Sequence, residues 1–178
     1  ETAEIVTNLD DSLVGVNTIL GSRFVGAIRD EVERLQKQLM LFQETLDEWQ
    51  AVQKNWMYLE TIFSAPDIQR QLPEASASFN HVDKSWRKIM SDTWDNPNAL
   101  KAGTVSGLRD TLKSHNAALD KIQKNLEDYL ETKRASFPRF YFLSNDELLE
   151  ILAQTKNVQA VQPHMSKCFD AIKSLEFG

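Results

Sequence analysis

The chain has 178 residues, 42% of them hydrophobic and 26% charged, with a net charge of −6 whose signs are mixed along its length. That balance fits a globular protein and gives no reason to expect binding to nucleic acid or an anionic membrane, and no apolar run approaches the roughly 18 residues a bilayer span needs. Six glycines and five prolines argue for long helices, while the single cysteine, Cys168, excludes an internal disulfide and fits a reducing compartment.

Ile5, Leu9, Val16 and Leu20 predict a short amphipathic helix, with Asp10-Asp11-Ser12 as a break or cap within it and Gly21-Ser22 as its punctuation. From Ile28 to Phe63 a heptad is sustained through Val32, Leu35, Leu39, Phe42, Leu46, Trp49, Trp56 and Leu59, with Gln53 as a polar break. No Pro or Gly falls between Gly26 and Pro66, so this is one long helix with a narrow apolar seam. Pro66-Asp67 ends it, and a one-turn piece over Asp67–Arg70 follows. Pro73 sits at a first helical position, and Phe79, Val82, Trp86 and Ile89 carry the pattern to about Thr93. Trp94-Asp-Asn-Pro-Asn98 reads as a turn, and Gly103 to Gly107 is ambiguous.

A second strict heptad runs through Leu108, Leu112, His115, Leu119, Ile122, Leu126 and Tyr129, and ends near Ser136, ahead of Pro138. Phe137 to Leu143 is expected to be a short extended segment that Pro138 confines to an edge. Ser144 or Asn145 then caps a helix whose first turn carries Asp146 and Glu147. A last helix is expected from Pro163, carrying Met165, Cys168, Phe169, Ile172 and Leu175. The fold class is all-α: an elongated antiparallel helical bundle with that one extended segment near 137–143.

Little in the chain carries chemistry. Gly15, Gly21, Gly26, Gly103 and Gly107 nowhere precede Lys-Ser or Lys-Thr at phosphate-loop spacing. His81, His115 and His164 lie far apart, and none follows a Glu three residues earlier, so neither a metal site nor a carboxylate-bridged metal enzyme is expected. Cys168 reads as a buried apolar side chain, and the paired carboxylates read as solvated faces or dipole complements. Trp49, Trp56, Trp86 and Trp94 read as core. In Phe137-Pro-Arg-Phe-Tyr-Phe142 two readings stay open: one set of side chains buried and the other pinning a corner, or Arg139 and Tyr141 forming a contact surface.

The block Phe137-Pro-Arg-Phe-Tyr-Phe-Leu-Ser-Asn-Asp-Glu-Leu-Leu-Glu-Ile-Leu152 resembles the linker region of dynein heavy chains. So do Gln53-Lys-Asn-Trp-Met-Tyr-Leu-Glu-Thr-Ile-Phe63, Asp67-Ile-Gln-Arg-Gln-Leu-Pro73, Val82-Asp-Lys-Ser-Trp86 and Leu119-Asp-Lys-Ile-Gln-Lys124. Leu143-Ser-Asn145, Gln154-Thr155 and Val161-Gln-Pro-His164 are similar to the axonemal class more than the cytoplasmic one. The resemblance runs from about Leu9 to Phe177.

It implies that residues 1–178 belong to one linker domain, with N-terminal helices over 1–65, a middle helical hairpin over 66–136 and a C-terminal helical part over 137–178. Starting at Glu1 without Met, the chain reads as a fragment of a much larger one. The implied role is a lever that moves with the nucleotide state of an AAA+ ring and so drives ciliary or flagellar movement. ATP and Mg belong to that ring and none to this fragment, which has no catalytic site. The implied partner is the ring of the same heavy chain, with the microtubule reached only indirectly, no nucleic acid and no membrane. The implied place is the cytoskeleton of the axoneme.

Gly103, Gly107, Pro138, Arg139, Phe140 and Tyr141 are the candidate hinge or interface residues. Alanine at both glycines is expected to leave motility unchanged if that break is passive. Phe140 is expected in the core. Periodicity alone also fits a standalone spectrin-like scaffold or adaptor that binds protein partners.

Overall fold

The computed structural model describes residues 2–177, which form helices and turns with no strand among them. Eight α-helices follow in order: α1 Thr2–Leu20, α2 Arg29–Phe63, α3 Pro66–Gln71, α4 Pro73–Asp95, α5 Ala99–Gly103, α6 Leu108–Ser136, α7 Asn145–Leu152 and α8 Met165–Cys168. Three 3-10 turns join them, at Val25–Ile28, Pro138–Phe142 and Val158–His164.

The chain packs as two compact units, one of Glu1–Gln53 with Ser85–Asn116 and one of Lys54–Lys84 with Ala117–Gly178. In the first, α1 lies antiparallel on the start of α2. Gln36 donates to Asn17 Oδ1 at 2.7 Å and Gln43 to Asp10 Oδ1 at 2.9 Å. Val16, Val25 and Val32 form the core there, with Leu20 and Leu39 packed on it. Helix α1 runs unbroken through Asp10-Asp11-Ser12, because Ser12 Oγ bonds back to the Asn8 carbonyl and leaves the backbone ladder intact. Trp49 and Trp86 meet edge to face at 5.5 Å. Arg109 reaches Glu44 at 2.7 Å, and Asn116 Nδ2 reaches Glu48 Oε2 at 2.6 Å, so α6 runs parallel to α2.

In the second unit Phe63 stacks on Phe79 at 5.4 Å and Trp56 donates to Asp83 at 2.9 Å, which sets α4 antiparallel to α2. Along α6, Leu119, Leu126 and Leu130 expose 1% or less and Ile122 also 1%, while Tyr129 of the expected heptad is half-buried. Each such side chain contributes roughly 1.5–3 kcal/mol by leaving water.

Three expectations need correction. Along the expected seam Ile28 and Leu35 are exposed, while Thr45 and Val52, outside it, are buried. Neighbours on more than one side widen the buried stripe, and a straight helix drifts about 20° per heptad away from a strict seam. Residues 138–142 form a 3-10 turn, and only its flanks, Phe137 (φ −138, ψ 92) and Leu143 (φ −97, ψ 141), are extended. The last helix begins at Met165 and stops at Cys168; Phe169 is its extended cap, and Ile172 and Leu175 are non-helical and more than a third exposed.

Candidate hinge and contact residues

Gly103 and Gly107 belong to the first unit, around the short α5. Asn98 caps α5 by accepting from Lys101 N at 2.9 Å, and Thr104 Oγ1 donates to the Leu100 carbonyl at 2.6 Å. This brings the α5 backbone onto the Phe42 ring of α2. A Cβ at Gly103 would stand 2.1 Å from Phe42 Cδ2. Gly107 has φ +77, a left-handed conformation that launches α6, where its carbonyl accepts from Thr111 N at 3.0 Å. Both glycines are therefore demanded by the fold. Alanine would clash at one and strain the other, so it cannot serve as a neutral probe of flexing there.

Pro138, Arg139, Phe140 and Tyr141 lie in the second unit, at the corner after α6. Pro138 forces Phe137 into an extended conformation and then supplies the fixed φ of a first helical position. Two 3-10 bonds follow, Phe140 N to Phe137 O at 2.9 Å and Leu143 N to Phe140 O at 3.1 Å. Phe140 meets Phe137 edge to face at 4.9 Å and is half-buried, not a core residue, because a 3-10 turn at a corner has the fold on one side only. The polar groups of Arg139 and Tyr141 turn back to their own unit. Arg139 Nη1 donates to the Cys168 carbonyl at 3.2 Å and its guanidinium lies 4.9 Å from the Phe169 ring centre. Tyr141 donates to Glu131 at 2.6 Å, a bond that raises its pKa. What the corner leaves open is ring surface, with Tyr141 54% and Phe142 64% exposed.

Helix α7 is fixed to this corner by Arg134, which donates to the Leu143 carbonyl at 3.0 Å and to Asn145 Oδ1 at 2.8 Å. Ser144, not Asn145, is its cap. Glu147 N donates to Ser144 Oγ at 3.3 Å, and the Glu147 carboxylate accepts from Ser144 N at 2.9 Å. Glu147 also accepts from Lys167 of α8. The Lys167 bond and the Ser144 N–H together hold its carboxyl down to about 2. Burial pushes the Cys168 thiol up, which suits a packing role. Among the described residues no group of three or more His, Cys, Asp or Glu could hold a metal, and no helix is long and apolar enough to cross a membrane.

The sequence model described as "Dynein heavy chain, N-terminal region 2" matches residues 1–178. Dynein axonemal heavy chain 6 of Homo sapiens is 59% identical over 99% of this chain, which covers 4% of that protein. Dynein axonemal heavy chain 2 of Mus musculus is 49% identical over 98% of the chain and 4% of its own length. For dynein axonemal heavy chain 12 of Rattus norvegicus the figures are 47%, 98% and 6%.

The chain belongs to the dynein heavy chain family. It spans about one twentieth of the length of these relatives. Within this dynein segment the structure adds residues that heptad reading passed over. Phe42, placed in the α2 seam, instead forms the seat for α5. Trp94 is not core but 85% exposed, near the end of α4. Beside it Ile89, Thr93, Ala102, Val105 and Leu108 line an opening of about 340 Å³. Only the unusual bulk of an exposed Trp next to Asn-Pro-Asn could have drawn attention to this place. The candidate residues fall into two groups, one in each unit, and each is complete as a local structure.

Proposed function

We propose that this segment is a mechanical linker element of a dynein motor heavy chain. In this reading it carries nucleotide-driven change in the AAA+ ring of the same chain into a power stroke for ciliary or flagellar movement along microtubules. The observation that carries it is membership of the heavy-chain family over the whole segment. The elements support it: α2, α4 and α6 run 35, 23 and 29 residues without a proline or glycine inside, apart from Pro73 at the start of α4. At 1.5 Å per residue α2 alone is roughly 50 Å long, and such a helix resists bending over its length. Any bend would fall at the joints, namely 64–72, 96–107 and 137–144.

ATP and Mg act in the ring, so this segment lends no catalytic group. Its partner is the ring, and it meets the microtubule only through the rest of the motor. Nucleic acid and membrane have no part in this reading, and the axonemal names of its relatives support a place in the cytoskeleton of the cilium. The test is energy transfer in the parent heavy chain, between a fluorophore at the exposed Lys37 of α2 and one on the ring. Transfer should change between ATP-bound and ADP-bound motor. A distance that ignores nucleotide while ATP is still hydrolysed would overturn the lever reading.

A further inference from the structure

We infer that the joint at 64–72 and the corner at 137–144 open together or not at all, because α7 clasps one to the other. The clasp is Asp67, in the first turn of α3. Its Oδ2 accepts from the Thr155 backbone N–H at 2.9 Å and from the Thr155 hydroxyl at 2.6 Å, while Oδ1 accepts from Arg70. Thr155 lies in the turn after α7, 88 positions further along the chain. The Asp67 side chain is only 12% exposed, and a shielded anion with three donors makes strong bonds that are costly to leave unmade.

With the neighbouring bonds this contact closes a ring inside the second unit. From α6, Arg134 donates to the Leu143 carbonyl and to Asn145 Oδ1, which fixes the corner and the start of α7. Helix α7 is then a strut about 12 Å long, anchored by the buried Leu148 and Leu149. Beyond its far end Thr155 holds Asp67 of α3. At the other end of α3, Gln71 accepts from the Tyr129 hydroxyl, and the path returns to α6. The strut also meets α2: burial, and then the charge of Asp146 in the first turn of α7, raise the pKa of Tyr58.

A segment inside a closed ring cannot swing at one joint alone. Turning α3 at 64–72 pulls on Thr155 and, through α7, on the corner. Turning α7 at 137–144 pulls on Asp67 in the same way. Separate bending requires the Asp67 bonds to break first. Two of the three joints in this segment therefore act as one, and the joint at 96–107 belongs to the first unit and takes no part. The coupling is a property of the segment's own packing and holds whether or not the lever reading does.

The test is residue-level hydrogen exchange in the 178-residue chain, with Asp67→Ala set against the unaltered protein. The amides of Phe140, Leu143 and Leu148 bond to carbonyls of the corner itself, not to Asp67. They should nevertheless exchange faster in Asp67→Ala by a factor on the order of three to ten, while amides 119–126 of α6 hold steady. Thr155→Val, at an exposed position, keeps the backbone bond and should give the same pattern more weakly. In the reverse direction, Arg134→Gln should speed exchange at Gln69 and Leu72, whose amides bond to the Ala65 and Ile68 carbonyls. Faster exchange confined to 66–72 and 153–157, or an equal rise in α6, would overturn the proposal. Should Asp67→Ala fail to fold, the same outcomes are read from Thr155→Val and Arg134→Gln.

Discussion

A single missing methyl group accounts for the seating of α5. Gly103→Ala places a Cβ inside the Phe42 ring envelope, so overpacking should destabilise the fold by about 1–3 kcal/mol, read as a clearly lower melting temperature. Adding Phe42→Leu should recover part of that loss, and a double-mutant cycle with no recovery would show that the contact is not the cause. Phe140→Ala, removing a half-buried ring, should cost roughly 1.5–2.5 kcal/mol, about half the figure for a core phenylalanine. Glu147 gives a pH prediction. Its folded carboxyl lies near 2, below the ordinary 4.5, so it contributes stability that is present above the ordinary value and lost as pH falls toward 2. Glu147→Gln keeps the shape of the capping pair and should flatten that stretch of an acid-melting curve. At this scale little of the candidate site was legible. The block from Phe137 to Leu152 stood out, but not that Arg139 and Tyr141 would bond within their own unit. Those bonds depend on where Cys168 and Glu131 arrive in space, which spacing along the chain does not encode.

Among the elements, legibility followed the strength of the local signal. Helix α6 was largely readable: Leu108, Leu112, His115, Leu119, Ile122 and Leu126 are all buried and the helix stops at Ser136, two residues before Pro138, though Leu130 and not the expected Tyr129 is buried near its end. Leu112→Ala should therefore show the full cost of a core cavity, about 2–5 kcal/mol by denaturant unfolding. Helix α7 was announced by its cap, and Ser144→Ala should cost about 1 kcal/mol, readable as faster exchange in its first turn. Two elements were misread for physical reasons. Pro138 fixes φ at a value that extended chain and 3-10 turn both accept, so the proline could not choose between them. Ile172 and Leu175 keep helical spacing, but spacing makes a helix only where a partner surface takes the apolar face. Both stay more than a third exposed.

For the molecule as a whole, the sequence conveyed the fold class and missed the grouping. Breaks at prolines divide the chain into consecutive stretches, while packing gathers residues from separated ones, and α2, α4 and α6 each give one part to one unit and the rest to the other. Heptads reveal that a helix needs neighbours and are silent about which neighbours serve which part of it. Family membership was readable, because long blocks such as Gln53–Phe63 and Phe137–Leu152 carry identity that periodicity lacks.

The α5 seat has one more consequence. Positions 42 and 103 occupy a shared volume, so what the fold constrains is their sum. In related chains a side chain larger than hydrogen at 103 should be accompanied by something smaller than a phenyl ring at 42. A protein engineer who enlarges one position without shrinking the other would be adding a wedge under α5.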